Sequence, residues 1–244
     1  MIESKFKIDN DTELSLHAEG DVFLPTGTSL ALLKGVRKRT VRAGVCLDLG
    51  CGTGVVGIAL SRFGLVQPPL YASDYHADAV ESTRLNCGRH DCPVVARQGS
   101  LFEPWKDCRF DYIVDDVSGV AEAIARVSPW FKNIPCASGK DGAELVLQVI
   151  RQAPRHLRPG GKLFFPVISL SNVKRILSAA RERFPTVERL VHEEWPLPPD
   201  MHEHLDLLKR LREEGVVTFE EKFGMTICFT DIYVASGETN SKGD

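Results

Sequence analysis

The sequence lacks a long apolar run: nothing in its 244 residues approaches the ~20 that cross a membrane as a helix. Its opening, MIESKFKIDND, carries no apolar signal-peptide core. No Gly/Ser- or Pro-rich linker divides it, so a single domain over residues 1–236 is expected, followed by a disordered tail at 237–244. Charge of one sign is also missing. With 30 Lys+Arg against 33 Asp+Glu, the net charge is −3, which opposes a general grip on nucleic acid. The one basic cluster, Lys34, Arg37, Lys38, Arg39 and Arg42, reads as a solvated helix end rather than an RNA-binding patch. The seven cysteines are odd in number and include no CxxC pair. They predict neither a disulfide framework nor a zinc site, and point to a reducing cytoplasm. His202-Glu203-His204 has a metal-like look, but residues two apart on a helix point to different sides. No metal is expected.

What the chain does have is VCLDLGCGTGVVGIAL, Val45 to Leu60. Val45–Leu49 is a short apolar run that reads as a buried parallel strand. Glycines follow at alternate positions, Gly50, Gly52 and Gly54, and Val55, Val56, Ile58, Ala59, Leu60 and Phe63 then supply a broad apolar helix face. Strand, glycine turn and helix open the cofactor crevice of a doubly wound α/β domain. A dinucleotide site wants GxGxxG, with its third glycine where Val55 stands here. Asp48, just before the first glycine, would repel a pyrophosphate but suits a cation. A nicotinamide dehydrogenase is therefore disfavoured.

The string DLGCGTG resembles the first motif of class I S-adenosylmethionine (SAM) dependent methyltransferases. The resemblance implies SAM as cofactor, with Asp48, Gly50, Cys51, Gly52, Thr53 and Gly54 at its methionine end. Leu70–Asp74 reads as the second strand, and Asp74 at its end is the expected acceptor for ribose hydroxyls. Tyr75 is placed to stack near adenine. Within the family the chain looks closest to the small-domain group that includes glutamine-amide methyltransferases. Phe23-Leu-Pro-Thr-Gly-Thr28 resembles their phrase over the cofactor, so Phe23, Thr26 and Thr28 become candidate contacts. Gln98-Gly-Ser-Leu-Phe102 resembles their glycine–aspartate–leucine–phenylalanine, with Ser100 in place of the aspartate that meets the adenine amino group, and with Leu101 offering its backbone. Leu157-Arg-Pro-Gly-Gly161, expected as the turn into a fifth strand, is frequent in SAM methyltransferases.

At the fourth strand, Phe110–Asp115, the sequence parts from that group. Where they carry Asn-Pro-Pro-Tyr this chain reads Asp115-Asp116-Val117-Ser118-Gly119, with Asp116 in the place of the Asn and both prolines and the Tyr gone, so a planar-amide site is not expected to form. Two carboxylates at the mouth of a SAM crevice suit orienting an amine, acting as general base for a hydroxyl or binding a metal, or simply capping a solvated loop. Asp116, with Asp115 second, is the candidate catalytic group; Ser118, Trp130 and Phe23 are the candidate substrate contacts.

The expected architecture is α/β: a Rossmann-like, seven-stranded doubly wound sheet with an antiparallel last strand. Short strands and a helix over residues 1–43 cover the site, and a helical insertion at 195–222 provides a lid or dimer contact. The expected function is SAM-dependent methyl transfer to a nitrogen of a protein or small-molecule acceptor. The alternatives are a small-molecule O-methyltransferase and a non-catalytic SAM-binding partner protein. Nucleic acid and membrane are not expected partners; a homodimer is possible.

Overall fold

The computed structural model describes residues 2–131, 134 and 136–237; the expected disordered tail lies outside them from residue 238 onward. The chain begins with an antiparallel hairpin, β1 (Ile2–Lys7) and β2 (Glu13–Ala18). Asp9 closes its turn by accepting the N–H groups of Asp11 and Thr12, a side-chain mimic of a backbone turn. Helix α1 (Gly27–Arg39) starts in a capping box of Thr26 and Ser29. Its last turn holds Arg37, Lys38 and Arg39, which the negative C-terminal end of the helix dipole favours.

The wound part then alternates β3 (Cys46–Leu49), α2 (Val55–Arg62), β4 (Leu70–Asp74), α3 (Ala77–Arg89), β5 (Val94–Gln98) and β6 (Phe110–Asp115). After the short α4 (Glu122–Ala125) come α5 (Glu144–His156), β7 (Leu157–Ile168) and α6 (Val173–Arg183). The chain closes with β8 (Thr186–Pro196), α7 (Leu205–Glu213), β9 (Glu220–Lys222) and β10 (Met225–Ser236). The strand order is β5-β4-β3-β6-β7-β10-β8, with β9 paired to β10. The first five of these run parallel and β10 is antiparallel to both its neighbours.

Order reverses between β3 and β6, and a crevice opens at the carboxyl ends of strands at such a switch point. Side chains alternate across the sheet. On one face Leu32, Leu33, Val36, Val56, Ile58 and Leu60 of α1 and α2 pack together. On the other, Leu147, Ile150 and Ile176 of α5 and α6 cover Leu47, Leu49 and Phe165. A third cluster joins Met201, Leu208, Leu211 and Phe219 of the segment after β8 to Val120, Ile124 and Phe131.

Four features depart from the sequence reading. The sheet has eight strands, because the short polar Glu220–Lys222 adds itself to β10. Trp195 and Pro196 belong to β8, where they pair with Cys228 and Ile227, so the insertion starts after them. Within the insertion, His202-Glu203-His204, read as helical, lies in a 3-10 turn, Pro199–His204, and α7 follows it. The Arg158–Gly161 turn sits inside β7 as an irregularity, since Phe110 pairs with Leu157 and Tyr112 with Lys162. Gly160 there has φ +75°, a conformation that suits glycine.

The basic cluster is drawn into the fold. Lys34 pairs with Glu193 at 2.6 Å and Arg39 with Glu188 at 3.3 Å. Lys38 donates to the Leu190 carbonyl, and Arg37 stacks 4.0 Å over the Phe63 ring. Among the described residues no helix is long and apolar enough to cross a membrane.

Candidate active site

Gly50, Gly52 and Gly54 all have positive φ, and two of them show why a side chain is not accommodated. A Cβ on Gly50 would stand 3.0 Å from the backbone nitrogen of Val117, and one on Gly54 would stand 3.1 Å from Thr83 Cγ2. The glycine turn is thus pressed between the loop after β6 and helix α3. Gly50 and Cys51 donate their N–H groups to the Ser73 carbonyl, and Gly52 donates to Asp74 Oδ2 at 3.0 Å. Asp74 Oδ1 accepts the His76 N–H. Each Asp74 oxygen keeps capacity for a further donor.

Two residues of α3 hold the same turn and were not singled out from sequence. Thr83 Oγ1 donates to the Gly52 carbonyl at 3.0 Å. Asn86 Nδ2 donates to the Thr53 carbonyl at 2.9 Å and to that of His17, while Asn86 Oδ1 accepts the His17 N–H. One buried amide therefore fastens the glycine turn and the N-terminal hairpin to one helix. Their signal was a pair of polar residues three apart on an otherwise apolar helix face.

A cavity of about 500 Å³ runs along this end of the sheet, within the range of small-molecule sites. Gly50, Cys51, Gly52 and Thr53 line it, as do Asp74, Tyr75, Ser100 and Leu101. Thr26, Thr28 and Phe23 line it too, as do Asp116, Ser118 and Trp130, with Asp116 next to the glycine turn through its N–H bond to the Leu49 carbonyl. Three of the sequence candidates stand elsewhere. Asp48 is buried, and its Oδ2 accepts the Gly57 N–H at 2.9 Å. Gly57 lies in the first turn of α2, whose own cap Gly54 offers no side chain, so Asp48 caps that helix from the preceding strand. Gly54 shapes the turn without lining the cavity. Asp115 is fully buried behind the wall, with Oδ1 accepting the Val117 N–H and Oδ2 unpartnered. Burial pushes both the Asp48 and Asp115 carboxyls well above the ordinary carboxylate range.

Asp116 is different. It is half-buried on the cavity wall, and its Oδ2 accepts the Ser29 hydroxyl at 2.9 Å. Burial pushes its carboxyl up to about 6, opposed by the Ser29 hydrogen bond. Ser29 also accepts the Thr26 N–H at the start of α1, so the helix cap and the carboxylate share one hydroxyl.

The sequence and the fold are similar to those of known proteins. Residues 17–116 match the family described as methyltransferase small domain. The similarity to that family is confined to this stretch, which includes the glycine turn and Asp74. A release factor glutamine methyltransferase of Geobacter sulfurreducens is 29% identical over 147 residues, which cover 58% of this chain and 51% of that one. The chain thus spans about half the length of that relative. A putative protein N5-glutamine methyltransferase of Methanocaldococcus jannaschii is 26% identical over 199 residues, covering 76% of this chain and 96% of its own. Among solved structures, a 16S rRNA N2 G1207 methyltransferase of T. thermophilus, in complex with AdoMet and guanosine, superposes with a TM-score of 0.61. It is 17% identical, covering 96% of this chain and 50% of that one. The Rossmann-like methyltransferase fold expected from the sequence is the fold observed.

Proposed function

We propose that this chain is a SAM-dependent methyltransferase that transfers a methyl group to a nitrogen of a protein or small-molecule acceptor. The observation that carries this reading is a single continuous cavity that reaches from the glycine turn and Asp74 to the half-buried Asp116. The first end suits SAM. Positive-φ glycines bring backbone close, and a Cβ at Gly52 would stand only 3.3 Å from the Phe23 carbonyl across the opening. Gly50–Thr53 would hold the methionine end, Asp74 the ribose hydroxyls, and Tyr75, Ser100 and Leu101 the adenine, under Thr26 and Thr28. When bound, SAM supplies a methyl group already activated on a sulfonium, so the protein's task is to position a nucleophile and remove its proton.

Asp116 is the group we assign to that task. It faces the cavity, is mostly ionised at neutral pH with its carboxyl near 6, and is fixed by Ser29. Asp115, turned away from the cavity, supports the loop instead. An oxygen acceptor is the second reading, favoured by one observation: Asp116 already accepts a hydroxyl donor, that of Ser29.

Calorimetry with SAM and with S-adenosylhomocysteine tests the cofactor assignment, which fails if neither binds. With binding established, Asp116→Ala separates an enzyme from a non-catalytic SAM-binding partner. Loss of a general base lowers turnover by about 10²–10⁴ while SAM affinity holds. Wild-type protein that binds SAM and methylates nothing in a lysate would favour the binding partner.

A further inference from the structure

The acceptor part of the cavity is lined by residues in or just after β6, β7, β10 and β8. Its walls include Phe23, Trp130, Phe131 and Trp195. Phe23 and Phe131 stand 5.0 Å apart between ring centroids, Trp130 and Trp195 6.0 Å apart and nearly perpendicular. The Trp195 indole N–H is spent on Thr230 Oγ1 at 3.0 Å, which fixes the ring without leaving a donor for a ligand. Acidic residues accompany the rings in the lining: Asp21, Asp74, Asp116, Glu193 and Glu194, with the Glu193 and Glu194 carboxylates already paired to lysines, which leaves Asp116 as the acid beside the rings. Among the described residues no Lys or Arg lines the cavity at all. Lys34 and Lys222, which pair with Glu193 and Glu194, stand outside the lining.

Resting on the proposed methyltransferase reading, we propose that the acceptor is a cationic amine carried on an apolar or aromatic body, held by this aromatic wall and by Asp116. The physical argument has three parts. Ring faces attract an ammonium and do not attract a carboxylate or phosphate. Asp116 only accepts hydrogen bonds when ionised, so an ammonium, which only donates, complements it. The Asn-Pro-Pro-Tyr pattern that suits a planar amide is absent at Asp116–Gly119, so the glutamine side chain loses its matching site.

The chemistry balances. The bound ammonium gives one proton to Asp116, and the freed lone pair forms the new N–C bond as the C–S bond breaks. The electron pair of that bond stays on sulfur, and the proton on Asp116 passes to solvent. The methylated amine keeps one positive charge.

The test is binding to protein saturated with S-adenosylhomocysteine, read by calorimetry. The probes are tryptamine, a lysine-bearing peptide, indole-3-acetate as the anionic counterpart of tryptamine, and a glutamine-bearing peptide. At least one of the two amines is expected to bind at least about tenfold tighter than both indole-3-acetate and the glutamine peptide, the scale of a desolvated cation–π site. Preference for tryptamine identifies a free amine, preference for the lysine peptide a protein side chain. Trp195→Ala and Asp116→Asn are each expected to weaken amine binding about tenfold and leave S-adenosylhomocysteine affinity unchanged. Equal or tighter binding of indole-3-acetate or the glutamine peptide by the wild-type protein overturns the proposal. So does saturable cofactor-product binding with no binding of either amine. Failure of S-adenosylhomocysteine itself to bind overturns instead the methyltransferase reading on which the proposal stands.

Discussion

Asp116 works through a balance of two opposing effects on one carboxyl. Burial raises it and the Ser29 hydroxyl lowers it, leaving it at about 6. A base must be ionised, so kcat/KM is expected to rise with pH through a midpoint near 6 and then level off. Ser29→Ala removes the donor that favours the charged form, so the midpoint moves to higher pH; a pH profile that stays put would show that the hydroxyl does not tune Asp116. Asp115 has no such partner on Oδ2, and its raised carboxyl works against the fold. The native state binds its proton more tightly than the unfolded chain does. Its contribution is present below the usual aspartate range and is lost as pH climbs through the raised folded value. Asp115→Asn, which keeps the acceptor for Val117 N–H, is therefore expected to raise the melting temperature at pH 8 relative to wild type and to change it little at pH 4. Asp116 was legible from its place at a strand end beside a glycine turn. Ser29 was not, because it lies 87 residues away in sequence and only the folded sheet brings α1 across β6. Asp48 was readable only as an acid before glycines. Leu47 and Leu49 pack toward α5, and strand alternation then turns Asp48 toward α2, where it caps the helix.

At the scale of elements, periodicity carried the wound half of the chain. The apolar runs at Cys46–Leu49, Leu70–Asp74 and Phe110–Asp115 fold as β3, β4 and β6, and the helices between them begin and end near their cap residues. The antiparallel end was less legible. Val187–Val191 reads as a strand from sequence, but the His, Glu and Trp that continue β8 along the edge of the sheet to Pro196 read as part of the insertion until β10 is placed beside them. β9 has three polar residues and no pattern of its own. A glycine outside the turn motif tests the helix–strand contact that positions the turn. Gly57 lies in α2, where a Cβ would stand 2.4 Å from Leu70 Cδ2 and 2.9 Å from Asp48 Oδ2. Alanine would gain helix propensity of up to ~1 kcal/mol, but crowding in a packed core costs about 1–3 kcal/mol. Gly57→Ala is thus expected to lower the denaturant midpoint. Unchanged or raised stability would show that α2 slides freely over β4.

The whole molecule divides its cavity between two structural supports. The glycine turn, Asp74 and α3 belong to the parallel half, bound together by Thr83 and Asn86. The aromatic end leans on the insertion between β8 and β9, whose Met201, Leu208, Leu211 and Phe219 pack against Val120, Ile124 and Phe131. That separate apolar cluster predicts separable stability, since regions with their own buried contacts open as units. Leu208 is fully buried, and Leu208→Ala is expected to cost ~2–5 kcal/mol, as for other large-to-small core changes. If the insertion is its own unit, amide exchange accelerates at the helical amides of α4 and α7 while Leu47–Leu49 and Ala72–Asp74 keep their protection. Cofactor affinity then survives and acceptor affinity falls. Uniform loss of protection across β3, β4 and α7 would instead show one cooperative structure, in which the acceptor end cannot loosen without the glycine turn.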